Sequence, residues 1–299
     1  MSIASRLLEP LLGHLRPRKL AQRFQLAALF SGGVWLLSVP AVFALTPADL
    51  SLQPSYVQGA VVRGKAPANT QVFIGDRALR LSADGQFVFG IGRDTKKDQR
   101  LTLIDRAGKK SILDIGVQAR SYNIQRVEGV PEKTVNPPEE DLARIRKESS
   151  LAYRARDIDS PLTDFSGAFV WPLIGPITGV YGSQRVYNGT PKNPHFGVDV
   201  ARPTGTVVTA PAGGVVRLAY DDMYFSGGTL IVDHGHGLTS TFIHLSAILV
   251  QEGQRVEQGD AIAKVGATGR ATGPHLDWRM NWYEHRVDPQ TLVGPMPKR

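Results

Sequence analysis

From residue 50 to about residue 125, short apolar runs alternate with turn residues. The runs cover residues 56–62, 70–74, 87–91, 101–104 and 111–117. The dipeptides between them carry hairpin signals, at Gly75-Asp76, Asp84-Gly85 and Ala107-Gly108. Short strands at regular spacing are typical of an immunoglobulin-like sandwich. We therefore predict a β-sandwich module over residues 45–128, with a spacer or binding role because its acidic residues mostly fall in turns.

Residues 129–158 have the pattern of a linker followed by a helix. Residues 130–138 are rich in proline, which predicts an extended linker. From residue 139 to about residue 157, acidic residues come first and basic residues later, as the helix macrodipole favours. The apolar stripe of this segment is thin. The pattern predicts a connecting helix that packs on one neighbour, and a partner-binding coiled coil is the alternative.

Strand-length apolar runs return after residue 169, at residues 206–210, 215–219, 229–232, 239–243 and 261–265. Glycine turns or Pro-Ala-Gly turns separate them, and the pattern shows no helix of ordinary length. Residues 159–299 are therefore predicted to form an antiparallel β domain with a groove. The expected fold class is mostly β, with a β-sandwich, a connecting helix and a second β domain in chain order.

The first 44 residues have the pattern of an export signal. Residues 1–23 hold five basic residues and one acidic residue, and residues 24–48 hold no charge. Residues 42–44, Val-Phe-Ala, match a signal-peptidase site. We predict a signal peptide cleaved after Ala44, and an uncleaved N-terminal anchor is the alternative because the apolar run could span a bilayer. Either way, the remainder is expected in the periplasm or cell envelope, with membrane contact only if the leader is retained.

Charge and composition narrow the function classes. The leader contributes +4 of the formal net charge of +8, so the rest of the chain is only mildly basic. Such a balance suits an anionic cell-wall polymer and is no evidence for nucleic acid, because basic runs interleaved with aromatic residues are absent from the sequence. The chain has no cysteine, which excludes disulfides and thiolate metal ligands.

Candidate chemistry concentrates in the C-terminal third. Residues 194–199, 242–245 and 273–278 bring together His195, Asp199, His244, His275 and Asp277. His275 and Asp277 share a face if they lie on one strand. His195 and Asp199 would be roughly 13 Å apart on a straight strand, so a common site needs a bend near Pro194 and Gly197. A catalytic zinc site uses nitrogen and carboxylate ligands together with further histidines that can transfer protons, and these residues supply both.

Two other histidines, His234 and His236, flank Gly235 in a predicted hairpin turn. A His-x-His pair is compatible with metal binding, but its position in a turn favours surface histidines.

These motifs resemble the lysostaphin-type (LytM-domain) zinc endopeptidases, which cut peptidoglycan cross-bridges. The resemblance covers residues 171–289 and rests on His-x-x-x-Asp at 195–199, the isolated His-Leu at 244–245 and the Thr-Gly-Arg-Ala-Thr-Gly-Pro-His-Leu segment at 268–276. It implies the antiparallel β peptidase fold. The family pattern ends in His-x-His, whereas this chain has Asp277 in place of the second histidine, which is the third metal ligand in the family.

The resemblance implies a role for each site residue. His195, Asp199 and Asp277 would ligate one Zn²⁺ per chain, and another divalent metal is the alternative because a second carboxylate favours oxygen-preferring ions. His244 and His275 would be catalytic, orienting water and stabilising the oxyanion. Three further residues are candidates for the substrate groove: Tyr181, Arg185 and Tyr224.

The sequence thus predicts an exported, metal-dependent endopeptidase that acts on peptidoglycan peptides. Two alternatives stay open. One is a LytM-type regulator that has lost catalysis and activates a separate cell-wall amidase, which the presence of Asp277 would explain. The other is a cell-wall binding protein that uses the same groove without hydrolysis.

Overall fold

The computed structural model describes residues 45–298 except Pro54, residues 128–137 and Asn188. The predicted leader, residues 1–44, and most of the predicted linker lie outside the described residues. Phe43–Arg299 form one compact unit. Among the described residues, no helix is both long and apolar enough to cross a bilayer.

The N-terminal module is built from short strands, and the three predicted hairpin signals all lie in turns. Its strands are β1 (Ser55–Val57), β2 (Val61–Lys65), β3 (Gln71–Ile74), β4 (Arg77–Leu79), β5 (Gln86–Gly90), β6 (Gln99–Ile104), β7 (Lys110–Gln118) and β8 (Ile124–Val127). One sheet has the order β1-β7-β6-β3-β4, and β2 pairs with β5. The predicted run at residues 56–62 is divided into β1 and β2 by a turn in which Gly59 has a φ of 87°.

The predicted connecting helix is confirmed as α1 (Leu142–Arg156), preceded by a 3₁₀ turn at Glu139–Asp141. Its apolar stripe packs on the strands that follow, where Ala155 joins Leu218, Met223 and Ile231 in a small buried cluster. Glu148 lies on the same side of the helix and is 5% exposed. The carboxylate of Glu148 accepts from Arg144 Nε at 2.7 Å and from the backbone N–H of Tyr224 at 2.8 Å, which offsets the cost of burying it.

The C-terminal domain confirms the predicted antiparallel β architecture. Its strands are β9 (Ile177–Gly179), β10 (Gln184–Tyr187), β11 (Thr190–Pro191), β12 (Gly197–Ala201), β13 (Val207–Thr209), β14 (Gly214–Met223), β15 (Gly227–Gly235), β16 (Leu238–Leu245), β17 (Ala247–Ile248), β18 (Arg255–Val256), β19 (Ala261–Lys264), β20 (His275–Trp282) and β21 (His285–Val287). The main sheet has the order β18-β14-β15-β16-β20-β12-β9, with β21 also on β20, and β13-β19-β17 form a smaller sheet.

Successive side chains of β20 point to opposite faces of the sheet, one face in the core and the other at the candidate site. Leu276, Trp278 and Met280 are fully buried and belong to the hydrophobic core. His275, Asp277, Arg279 and Asn281 alternate with them and therefore point to the opposite face of the sheet. That face carries the candidate site, and α1 packs over another part of it, against β14 and β15.

The N-terminal module packs directly on the C-terminal domain. A single cluster of buried residues includes Phe89 and Ile91 from the first module together with Trp278 and Trp282 from the second. Phe89 and Trp282 meet edge to face with ring centroids 6.5 Å apart. The guanidinium of Arg93 donates to Gly182 O at 2.8 and 3.0 Å. The domain boundaries predicted at residues 128 and 159 stay a prediction, but the two modules share one core.

The prediction that His234 and His236 are surface residues is wrong. They are 0% and 3% exposed, because the backbone around Leu162 lies against the turn at Gly235. His234 makes hydrogen bonds to Gly213 O and Ser240 Oγ at 2.7 and 2.8 Å. The His236 ring packs 4.4 Å from the Phe165 ring.

Gly90 tests how closely the two modules are packed. A Cβ at this position would lie 2.7 Å from Val287 Cγ1 and 2.9 Å from Trp282 Cβ. We expect Gly90→Ala to destabilise the protein by about 1–3 kcal/mol in urea unfolding, because the overpacked contact separates the modules. Gly294→Ala is the matched control, since a Cβ there meets nothing within 4 Å. Equal stability of the two variants would contradict close packing.

The burial of His236 predicts a loss of stability in acid. Burial, helped by the charge of Arg80, lowers the pKa of His236 to about 4 from its ordinary 6.5. The unfolded chain therefore takes up this proton first, and stability falls as the pH drops from about 6.5 towards 4, by at most about 1.4 kcal/mol per pH unit. His236→Asn, which cannot titrate, should lose less stability between pH 7 and pH 5 in urea titrations. Parallel pH profiles for the two proteins would show that His236 contributes nothing to the acid sensitivity.

Candidate metal and catalytic site

The register of β12 and β20 places two carboxylates directly opposite each other. Asp199 pairs with Asp277 across these antiparallel strands. Like charges at such positions repel each other unless a positive group lies between or beside them. His195 supplies a third polar atom from the loop before β12, which begins at Gly197. The 3.1 Å between His195 Nε2 and Asp199 Oδ1 confirms the predicted bend, because a straight strand would hold the two residues far apart.

The geometry of these three side chains fits a divalent cation. His195 Nε2 lies 3.1 Å from Asp199 Oδ1 and 3.3 Å from Asp277 Oδ2, and the three ligand atoms lie within 4.8 Å of one another. Tetrahedral zinc with bonds of about 2.0–2.1 Å holds neighbouring ligand atoms about 3.3–3.4 Å apart. Asp199 Oδ1 is also buried, and apart from the ion-pair contact with His195 Nε2 it has no hydrogen-bond partner among the described residues. A buried carboxylate oxygen of this kind is suited to a metal ion.

Two glycines make room for the carboxylates. A Cβ at Gly179, which pairs with Asp199 across β9 and β12, would overlap Asp199 Oδ2. A Cβ at Gly197 would overlap Asp277 Oδ1 and lie 2.7 Å from Arg279 Cγ. Neither glycine is needed for a left-handed backbone, so their role is to leave space. Any larger residue would push an aspartate away from the common point.

Arg279 joins the site from β20, two residues after Asp277. Its Nε lies 3.0 Å from both carboxylate oxygens of Asp277, and its Nη2 lies 2.5 Å from Oδ2. Burial by itself would raise the pKa of Asp277, but the charge and hydrogen bonds of Arg279, with the hydrogen bond from His195, hold it well below its usual range. Asp277 is therefore ionised, and Arg279 compensates its charge while fixing its orientation, as groups behind a metal ligand commonly do.

The carboxylates of Asp199 and Asp277 also change the pKa of His195. Burial opposes an imidazolium there, yet Asp199 and Asp277 outweigh it and raise the pKa of His195 to about 10. Its Nδ1 lies 3.3 Å from Val180 O, which leaves Nε2 directed at the carboxylates. The arrangement attracts positive charge to the point between the three side chains.

His244 and His275 stand beside this point, as predicted. Their ring centroids are 4.9 Å apart, and His275 Nε2 lies 3.9 Å from Asp199 Oδ1. His244 Nδ1 donates to Thr268 O and His275 Nδ1 donates to Gly273 O, each at 2.8 Å. Because a carbonyl can only accept, both Nδ1 atoms carry the proton and both Nε2 atoms are left as acceptors. Burial lowers the pKa of His244, which favours the neutral base.

The backbone at His244 is unusual for a strand. Its φ of 65° lies in the left-handed region, which non-glycine residues seldom adopt. Its N–H donates to Ser226 O at 2.8 Å, and Thr268 Oγ1 donates to Leu245 O at 2.9 Å. The neighbouring loops therefore hold the end of β16 in a strained conformation that aims the imidazole, as strain at functional sites often does.

All five predicted residues line one groove of about 790 Å³, and so does Arg185. Asn123 and Gln125 line it too, because β8 pairs in parallel with β10 at the edge of the groove. The other two predicted groove residues lie elsewhere. Tyr181 is 1% exposed and its hydroxyl donates to Arg286 O, so it is a core residue. Tyr224 lies beside α1, where its backbone N–H donates to Glu148.

Comparison with known proteins agrees with this site. The model of peptidase family M23 matches residues 193–289. A solved structure from Pseudomonas aeruginosa, assigned to peptidase M23, is 32% identical, with a TM-score of 0.62, and the alignment covers 81% of this chain and 96% of that one. The chain belongs to peptidase family M23. The resemblance of its motifs to the lysostaphin-type enzymes is therefore confirmed as a family relationship.

Two curated relatives match the C-terminal domain. Peptidoglycan DD-endopeptidase ShyA of Vibrio cholerae is 41% identical over 87 residues, which are 29% of this chain and 20% of that protein. DD-carboxypeptidase/endopeptidase Mpg of Neisseria meningitidis is 36% identical over 104 residues, which are 35% of this chain and 24% of that protein. The chain thus spans about a fifth to a quarter of the length of these relatives.

Gly179 tests whether the carboxylates need the space that they occupy. Gly179→Ala should displace Asp199 and weaken zinc binding by about tenfold or more, since one misplaced ligand in a three-residue set costs at least about 1.4 kcal/mol. Competition with a chromogenic chelator measures the affinity. Gly273→Ala, whose Cβ would meet nothing within 4 Å, is the matched control. Unchanged zinc affinity in Gly179→Ala would show that Asp199 is not a metal ligand.

Proposed function

We propose that the protein is a zinc-dependent endopeptidase of the cell envelope that hydrolyses peptide cross-links of peptidoglycan. The observation that supports this most directly is the convergence of His195, Asp199 and Asp277 on one point, with the acceptor atoms of His244 and His275 beside it. Relatives named as peptidoglycan DD-endopeptidases support the substrate class and an envelope location.

His195, Asp199 and Asp277 would hold the metal ion, with a different divalent ion as an alternative to zinc. When bound, the ion supplies Lewis acidity to the scissile carbonyl and to the attacking water. The groove binds an extended peptide along β10 and β12, so that the scissile amide lies next to the histidines. Arg279 keeps Asp277 ionised and oriented throughout.

The two imidazoles would carry out the proton transfers. His244 Nε2 and His275 Nε2 are acceptors in the tautomer that their carbonyl contacts select. One of them takes the proton of the attacking water, and a protonated imidazole then stabilises the oxyanion or returns the proton to the leaving amine. A regulator or a purely binding protein has no need of two imidazoles held in this way, so we favour the hydrolase.

We also propose that residues 45–128 form an immunoglobulin-like module, which two separate β-sheets in that segment support. Its contribution of Asn123 and Gln125 to the groove suggests that it takes part in binding peptidoglycan as well as acting as a spacer.

Two substitutions separate ligation from catalysis. His275→Ala should keep stoichiometric zinc and lower turnover on purified peptidoglycan about 10²–10⁴-fold, because it removes a proton-transfer group. Asp277→Ala should lose the zinc and the activity together. Metal content by atomic emission and muropeptide release by chromatography give the two readouts.

Asp277→Ala leaves Arg279 without its partner, so thermal unfolding must confirm that the variant folds. The double variant Asp277→Ala/Arg279→Met removes both charges. It is the control for the effect of leaving the Arg279 charge unpaired. The proposal fails if the unmutated protein binds no divalent metal, or if it binds zinc but releases no muropeptides.

A further inference from the structure

A second cavity, of about 440 Å³, lies between α1 and the face of the sheet that carries the site. Arginines from three elements line it: Arg156 in the last turn of α1, Arg279 in β20 and Arg286 in β21. Their side chains are half-buried and belong to segments far apart in sequence. We call this space the arginine cavity.

The arginine cavity has more positive charge than its own carboxylates can balance. Glu148 lines it, but Arg144 and the Tyr224 N–H already occupy that carboxylate. Arg279 is paired with Asp277, and among the described residues Arg286 Nη1 donates only to the neutral Asn281 Oδ1, at 3.1 Å. Arg156 has no hydrogen bond or ion pair with any other described residue. Arg156 and Arg286 thus lack a carboxylate partner, and buried guanidinium groups in that state form a site for an anion.

The pKa values of the arginines in the cavity agree with an anion site. Burial is the main cause that lowers the pKa of Arg156 to about 10, with a contribution from the charge of Arg279. Burial, together with the charges of Arg156 and Arg279, lowers the pKa of Arg286 to about 9. The arginines thus repel one another yet stay charged at neutral pH, and an anion between them would relieve the repulsion.

An unpartnered hydroxyl on the cavity wall is a second, independent sign. Thr241 is 3% exposed and its Oγ1 has no hydrogen-bond partner among the described residues. It pairs with Arg279 across β16 and β20 and so lies on the same face of the sheet. A buried hydroxyl that lacks a partner is costly and is suited to donate to a ligand.

The arginine cavity adjoins the groove of the candidate site. Asn193, Arg279 and Arg286 line both spaces. An anion held by these arginines would therefore sit at the side of the metal ligands, where Arg279 touches Asp277 directly.

We propose that the arginine cavity binds a carboxylate group of the peptide substrate, carried by the residue next to the scissile bond. The inference rests on the proposed peptidase function and adds a determinant of specificity to it. A carboxylate matches the planar fork of a guanidinium, and a chain end presents one at a fixed distance from the last amide. Arg156, which is unpaired, is the residue left to make this contact, with Arg286 and Thr241 beside it.

The test compares two substrates that differ in one group. A cross-link peptide with a free α-carboxylate on the residue after the scissile bond is measured against the same peptide ending in a carboxamide. We expect the zinc-loaded protein to cleave the carboxylate peptide with a kcat/KM higher by about tenfold to a hundredfold. Arg156→Met should remove most of this preference and leave cleavage of the carboxamide unchanged, whereas Arg156→Lys should retain part of it.

Arg154→Met is the matched control, because Arg154 lies on the exposed side of α1 and contacts Ser150 of the same helix. Equal cleavage of both peptides by the unmutated protein would overturn the inference while the peptidase function stands. If neither peptide is cleaved, calorimetric binding of the two peptides decides. Tighter binding of the carboxylate peptide that Arg156→Met abolishes supports the inference. Equal binding of the two peptides overturns it.

Should Arg156→Met fail to fold, Thr241→Val provides the second variant, since it removes a hydroxyl and conserves volume. It should weaken cleavage of the carboxylate peptide alone, and an equal effect on both peptides would count against the inference.

Discussion

The site depends on the antiparallel pairing of β12 with β20, which sets Asp199 against Asp277. Pairing of the surrounding residues fixes this register, since Val198 and Val200 must stay in the core together with Leu276 and Trp278. A slip of β20 by one residue relative to β12 would turn Asp277 into the core and expose Trp278. Packing of the hydrophobic face of the sheet therefore holds the negative charges of Asp199 and Asp277 opposite each other on the other face. Their repulsion is what makes the point between them attractive to a cation.

Arg279 explains how an aspartate can stand at the position where the family resemblance implies a histidine. An aspartate alone would add a negative charge to the ligand set, whereas Asp277 together with Arg279 has no net charge, as a neutral imidazole has none. The carboxylate also keeps lone pairs for a metal after accepting from the guanidinium. Asp277 and the guanidinium two residues later therefore act as one neutral unit, which limits the negative charge of the site.

Much of the site could be predicted because its chemistry lies in short motifs. His195, Asp199, His244, His275 and Asp277 were grouped from spacing and resemblance, and the structure brings them together. Arg279 was missed although the period of a strand places it on the face of Asp277. The arginine cavity could not be predicted, because Arg156 reaches it from a helix more than a hundred residues away from β20. Tyr181 and the pair His234 and His236 were misplaced for a similar reason: burial depends on segments that pack from a distance.

The pairing of β8 with β10 has a consequence for how this architecture can change. Asn123 and Gln125 belong to the end of the N-terminal module, yet they form a wall of the peptidase groove. Exchange of that module for another by engineering would therefore alter the groove itself. Substitutions in the first half of the chain can therefore change the shape of a groove whose chemistry lies in the second half.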